Sequence, residues 1–281
     1  MIELGKINTL KVSRSCEFGY YLDAEGKTTS EDILIPSGNI VGEIAVDDEV
    51  DVFLYRDSKD RPIATMKPVE AQVGDLAYLK VVDKTGIGYF VSIGIERDVL
   101  VPFREAPFEL EVDKNYLFYL YVDKTNRIAA TTRVDRYLHD TTHYNVGEEV
   151  EGVVYGKHSN GNLVVAIDNT FRGIILKSEC YDDISIGDKI KARVKKYFDD
   201  GKIQITTRKP RLEEMGDLEE VILSYLKKNQ GSMKFNDKTS PDDIKKYFKA
   251  SKNAFKRSLG ALMKKGLIEQ DENGTRLKQK I

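Results

Sequence analysis

The chain has very little cysteine: Cys16 and Cys180 are the only two in 281 residues. They lie far apart and form no Cys-x-x-Cys pair, so neither a disulfide framework nor a zinc ribbon is suggested, and a reducing compartment fits best. Also missing is any apolar run near the ~20 residues needed to cross a bilayer. The opening Met1-Ile2-Glu3-Leu4-Gly5-Lys6 has neither the basic segment nor the apolar centre of an export signal. A soluble, cytoplasmic protein with no membrane partner is expected. Nor is there a large charge excess, since 44 basic residues face 46 acidic ones, which argues against indiscriminate coating of a polyanion.

The devices of catalysis are absent too. No Gly-rich phosphate loop ends in Lys-Ser/Thr, and His139 and His143, four apart, lack the intervening Glu and the third ligand of a zinc helix. The pairs Asp182-Asp183, Asp199-Asp200 and Asp242-Asp243 sit where turns or helix starts are expected, positions where short acids cap free backbone N–H groups. No catalytic residue, metal or cofactor is therefore assigned, and the protein is read as a non-enzyme. A metal-dependent ribonuclease is the enzymatic alternative, and divalent-ion-dependent cleavage of RNA would reveal it.

What is present is a gradient and a repeat. Residues 1–72 carry 8 basic and 14 acidic side chains, 73–145 carry 9 and 11, 146–210 carry 11 and 10, and 211–281 carry 16 and 11. Positive charge accumulates toward the rear, so a polyanion would be held there. Leu4-Gly5-Lys6, Val73-Gly74-Asp75 and Val146-Gly147-Glu148 open three units spaced about seventy residues apart. Tyr55-Arg56-Asp57, Tyr121-Val122-Asp123 and Tyr197-Phe198-Asp199 each precede a polar turn and a second short strand, which reads as three matching hairpins. Ile190, Ala192 and Val194 alternate with Lys189, Lys191, Arg193 and Lys195, a half-buried strand, and Asp200-Gly201 supplies its turn. In the middle of each unit come Phe18-Gly19-Tyr20-Tyr21-Leu22, Gly88-Tyr89-Phe90-Val91 or Gly161-Asn162-Leu163-Val164-Val165. Each is followed by a second apolar run, Ile33-Leu34-Ile35-Pro36, Val99-Leu100-Val101-Pro102 or Ile174-Ile175-Leu176. About five strands in such a length make a small closed barrel without free sheet edges.

Each unit resembles the S1 motif, an OB-fold RNA-binding domain that starts Val-Gly and carries Phe-Gly-x-Phe-Val; the resemblance spans residues 4 to 210. Beyond Lys209-Pro210, Leu218, Val221, Ile222, Tyr225 and Leu226 have helical spacing over 217–228. Gly231 closes that helix, Met233-Lys234-Phe235 is a short strand, and Ser240-Pro241 caps a second helix through Ile244, Tyr247 and Phe248. Ser251 caps a third, with a buried stripe of Phe255, Leu259, Leu262 and Met263, and Ile268-Glu269 and Arg276-Leu277 form a terminal hairpin. This order is similar to a winged helix, whose third helix is the usual reading element. The fold expected is mainly β with an α+β C-terminal domain: barrels at 1–70, 71–143 and 144–211 and a winged helix at 212–281. Three S1-like units plus a winged helix resemble the conserved virulence factor B family of bacterial proteins, which implies RNA binding and a regulatory role.

OB barrels hold single strands by stacking bases on exposed aromatics while basic groups track the backbone. Phe18 and Tyr21 fill the two aromatic positions of the S1 pattern in the first unit, with Arg14 nearby, whereas the second keeps Phe90 but has Ile87. The third has Asn160 and Leu163 there, and the S1 histidine is replaced by Ile35, Val101 and Leu176. The resemblance thus implies an incomplete stacking set, for which Tyr20, Tyr89 and Tyr155 are candidates to compensate. Lys195, Lys196, Arg208, Lys209 and Arg211 cluster at the junction of the third barrel and the winged helix as phosphate contacts, and Asn253, Lys256, Arg257 and Lys264 line the third helix. Each set has a plainer reading, half-buried strand aromatics in one case and solvated charges in the other. The expected ligand is single-stranded, pyrimidine-rich RNA on a composite surface of barrel 3 and winged helix. The alternatives are a module docking on ribosome or polymerase proteins, and a DNA-binding winged helix with accessory barrels.

Overall fold

The structure, a computed structural model, describes residues 2–24, 32–180, 183–208 and 211–278, the side chains of 211–217 excepted. It divides into two compact units, Met1–Thr206 and Thr207–Ile281.

The first unit contains three closed five-stranded barrels. They are built from β1 (Ile7–Cys16), β2 (Gly19–Leu22), β3 (Ile33–Pro36), β4 (Glu49–Arg56) and β5 (Pro62–Thr65), then β6 (Leu76–Lys84), β7 (Gly88–Val91), β8 (Val99–Pro102), β9 (Asn115–Val122) and β10 (Ile128–Thr131), then β11 (Glu149–Lys157), β12 (Leu163–Ile167), β13 (Phe171–Ile175), β14 (Lys189–Tyr197) and β15 (Ile203–Thr206). All three share one plan. First, second and third strands form an antiparallel meander, the third pairs in parallel with the fifth, and the fourth closes back on the first. Alternation drives this: in β1, Leu10 and Val12 are buried while Thr9 and Lys11 are exposed. Inside the first barrel these residues meet Leu22, Ile33, Ile35, Val50, Val52 and Leu54. The opening glycines Gly5, Gly74 and Gly147 all have positive φ (78°, 100° and 92°), a conformation that a side chain would strain, and this is why the motif recurs.

A bulge recurs in each first strand, between Val12 and Arg14, between Val81 and Asp83, and between Val154 and Gly156. It bends the strand and closes the small barrel. It also fixes equivalence among the copies. Arg14 pairs with Tyr21, Asp83 with Phe90 and Gly156 with Val164, so these six residues occupy the same two places.

Successive barrels pack through the outward face of the fourth strand. In β4, Val52 and Leu54 point into the first barrel, whereas Phe53 and Tyr55 join the core cluster of the second. Outward Leu117 of β9 meets Val153, Tyr155, Val164 and Ala166 of the third barrel, with Val134 and Leu138 from the connector. Across the first seam Arg56 donates to Asn126 O at 2.8 Å and Arg127 pairs with Asp60.

The second unit contains α1 (Arg211–Lys228), β16 (Ser232–Met233), α2 (Pro241–Phe248), α3 (Lys252–Lys264), β17 (Ile268–Asp271) and β18 (Gly274–Leu277), the sheet running β16-β18-β17. This is a winged helix. Ser240 and Ser251 cap α2 and α3 by accepting from Asp243 N and Ala254 N. Leu218, Ile222 and Leu226 of α1 pack on Ile244, Phe248, Phe255, Leu259 and Leu262. The third helix departs from expectation at one place: Met263 is 44% exposed, and Ser258 is buried. Residues 255, 258, 259 and 262 follow the i, i+3, i+4, i+7 pattern, and Met263 lies beyond its edge. Val221 and Tyr247 are likewise exposed, the Tyr247 ring lying against Phe235.

Candidate nucleic-acid interface

In the first barrel two predicted residues come together and a third lies open in the adjoining turn. The Arg14 guanidinium lies 3.9 Å from the Tyr21 ring centroid, a cation–π contact. Asp32 Oδ2, 3.5 Å from Arg14 Nε, orients it from the third-strand side. Phe18, in the turn between β1 and β2, is 68% exposed. Gly19 makes that turn possible, because a Cβ there would lie 2.1 Å from Ile35 O. The result is an uncovered ring in the β1–β2 turn and, on the strand that follows, a half-exposed phenol held under a cation. A planar base can stack there while its phosphate meets the guanidinium.

The second barrel is different. Phe90 is half-buried and Ile87 exposed, but Arg14 is replaced by Asp83. Phe90 and Ile87 line a groove of about 600 Å³ together with Asp83, Glu96, Asp98, Asp57, Asp60 and Asp123, against only Arg56, Arg97 and Arg127 as cations. Burial, then the nearby Asp83, raises the Asp98 carboxyl above its ordinary pKa, as expected where acids crowd together. Such a groove repels phosphate. Tyr89, expected to compensate, points inward instead. It is buried in the barrel core, edge-on to Phe103, and offers no face to a base.

In the third barrel the strand register corrects two expectations by one residue. Gly161 and Val164, not Asn160 and Leu163, occupy the places of Phe18 and Tyr21, and Ile175, not Leu176, stands in the place of Ile35. One extra residue in the turn 158–162 hid this from the sequence, and a slip of one residue reverses the face of a strand. Val164 is buried against Leu117 and Val134, so the second barrel covers the usual stacking face. Tyr155 is withdrawn as well. It is the extra residue of the bulge, 8% exposed, and its hydroxyl donates to Asp135 Oδ1 at 2.7 Å. Burial, then that carboxylate, pushes its phenol pKa well above the ordinary value.

Of the predicted cations, Lys195 and Lys196 lie at the end of β14 in the first unit. Lys195 Nζ is 2.7 Å from Glu179 Oε1, and Lys196 Nζ lies 5.3 Å from the Phe198 ring. Arg208 belongs to the second unit, Lys209 lies outside the described residues, and of Arg211 only its place at the start of α1 is described. On α3, Asn253, Lys256, Arg257 and Lys264 are all exposed, on the side opposite the stripe 255, 258, 259 and 262. Lys256 is 3.6 Å from Asp237, whereas Arg257 and Lys264 have no carboxylate partner among the described residues. His139 and His143 share no helix. His139 is held by a bridge to Phe171, and the His143 ring packs edge-on against Tyr144. Among the described residues no three His, Cys, Asp or Glu side chains converge as metal ligands, and no helix is long and apolar enough to cross a membrane.

Three OB barrels followed in sequence by a winged helix define a tandem S1-domain protein, built of folds that bind nucleic acids. Comparison with known proteins agrees. The sequence matches the S1 domain family over residues 4–67 and 73–133 and the CvfB-like winged helix domain over 220–277. It is 32% identical over 279 residues to the uncharacterized protein YitL of Bacillus subtilis, covering 96% of this chain and 92% of that one. Conserved virulence factor B of Staphylococcus epidermidis is 26% identical over 237 residues, 80% of this chain and 78% of that one. A crystallised Streptococcus pneumoniae multidomain protein with nucleic acid binding domains superposes over 98% of both chains at 28% identity, with a TM-score of 0.53. The chain belongs to the conserved virulence factor B family.

Proposed function

We propose that this protein is a non-enzymatic, cytoplasmic regulator that binds single-stranded, pyrimidine-rich RNA. The observation that carries the reading is the Arg14–Tyr21 pair, with the open ring of Phe18 in the turn leading into the same strand. This site has what base stacking and phosphate contact need together, and neither later barrel keeps it. Each compact unit also carries a cationic face of its own, Lys195 and Lys196 on β14 and Lys256, Arg257 and Lys264 on α3. Lys209 and Arg211 join this reading from their place in the sequence alone. The names of the relatives, conserved virulence factor B and a protein with nucleic acid binding domains, point the same way.

The test is a titration of a labelled unstructured RNA into the intact chain at several salt concentrations. Charge reversal at Lys195, Lys196 and Arg257 is expected to weaken binding and flatten the salt slope, because displaced counterions drive the association. Unchanged affinity and slope in that variant would remove the cationic faces from the proposal. Competition by duplex DNA as strong as by RNA would instead favour a DNA-reading winged helix.

A second reading, docking on a protein of the translation or transcription machinery, is favoured by one observation, the acidic groove over Phe90. It predicts that a protein co-purifies with the chain and is lost when Asp83 and Glu96 are changed to Lys, with RNA affinity preserved.

A further inference from the structure

Tyr119 and Tyr121 lie two residues apart on β9 and so share its outer face. Tyr137, from the 3₁₀ turn Val134–Tyr137 after β10, stacks on Tyr119 with ring centroids 3.4 Å apart and planes within 10°. The Arg136 guanidinium lies 4.9 Å from the Tyr137 centroid. Arg133 donates from Nε and Nη2 to Arg104 O at 3.1 and 3.0 Å, fastening this turn to the one after β8. Burial raises the Tyr121 phenol, and Glu105 and Arg104 are near enough to act on it as well. Three half-exposed phenols are thus bordered by three exposed arginines, the Arg104 side chain being 82% open.

Of the acids nearby, two are engaged elsewhere and one meets Arg104. Asp135 accepts from Tyr155 and sits beside Arg172, Asp123 accepts from Thr125 and the Arg127 N–H, and half-buried Glu105 lies 3.8 Å from Arg104 Nε, whose side chain nonetheless stays open. The strand register makes Phe53 and Tyr55 the counterparts of Tyr119 and Tyr121, and in the first barrel both are sealed under the second. In the second barrel Tyr119 packs with one side on the seam with barrel 3, yet both places stay half open, and a third ring and a guanidinium are added beside them.

We propose that Tyr119, Tyr121 and Tyr137, with Arg104, Arg133 and Arg136, form a second platform for unpaired bases on the fourth-strand face of barrel 2. The paired rings continue a stack of bases, and a guanidinium plane stacks on a base or pairs with its phosphate. The acidic groove closes the β7–β8 face of this barrel to a polynucleotide, so a strand leaving Phe18 meets barrel 2 on the other face. The inference rests on single-stranded RNA being the ligand.

The test uses the full chain and a fluorescein-labelled oligouridylate of about a dozen nucleotides, within the length that OB folds track. Tyr137→Ala is expected to weaken binding about 5-fold or more, the effect of losing one stack, and Tyr137→Phe to bind like the parent. Arg136→Glu should weaken binding and lower the salt slope. If Tyr137→Ala melts early, Arg136→Glu decides, since that side chain is exposed. Parent-like affinity and slope in Arg136→Glu, with Phe18→Ala still weakening the complex, would overturn the platform and leave the RNA-binding reading standing. An intact chain that does not bind the oligonucleotide would end both.

Discussion

Phe18→Ala separates a ligand-stacking ring from a structural one. The ring is 68% exposed and belongs to no core cluster, so its removal should change folding stability by no more than about 0.5 kcal/mol. One lost base stack costs about 1–3 kcal/mol of binding, which at about 1.4 kcal/mol per decade is roughly a 5- to 150-fold rise in Kd. Anisotropy titration of a labelled oligouridylate, repeated over a salt series, reads both affinity and slope. The slope should stay at the parent value for Phe18→Ala, because a neutral ring releases no counterion. Arg14→Glu, by contrast, should lower it by about 0.7, because one phosphate is then left without its cation. Phe53→Ala is the matched control: that ring is 2% exposed and its loss should cost about 3–5 kcal/mol of stability. Parent-like binding by Phe18→Ala, or a large drop in its melting temperature, would refute the reasoning.

Two further outcomes follow from the seam between barrels 2 and 3. Leu117 points outward on β9 yet is buried, so Leu117→Ala should lower stability by about 2–5 kcal/mol in a urea melt; a change within about 0.5 kcal/mol, as for an open strand face, would mean the seam does not form. Tyr155 is held protonated by burial and by Asp135, with Arg172 acting in the opposite sense. A raised folded pKa means stability is present below the unfolded tyrosine value of about 10 and is lost as pH rises from there through the folded value. Tyr155→Phe should therefore flatten the alkaline fall of unfolding free energy, and parallel curves for parent and variant would contradict this.

The repeat was legible because it is written in backbone requirements as well as in hydrophobicity. Gly5, Gly74 and Gly147 mark three positive-φ starts, and the Asp-rich turns after Tyr55 and Tyr121 mark two hairpins. The winged helix was legible from its serine caps and helical stripe. What the pattern did not reveal was which face of each barrel a neighbour would cover. Tyr89 and Phe90 are adjacent letters, but one points into a core and the other into an acidic groove. Tyr155 looked like a spare aromatic until the bulge turned it toward Asp135. The platform around Tyr137 escaped notice because its rings come from a strand and from a turn beyond the next strand, a proximity that no local spacing encodes.

The register that equates Phe53 with Tyr119 equates both with Arg193, and, past a bulge at Lys195, Tyr55 and Tyr121 with Lys196. The docking surface thus changes chemically from one bead to the next, from greasy to phenolic to cationic. Seating a fourth bead, or the front of another copy, against the last would strip water from a guanidinium and an ammonium with no dispersion gain to offset it.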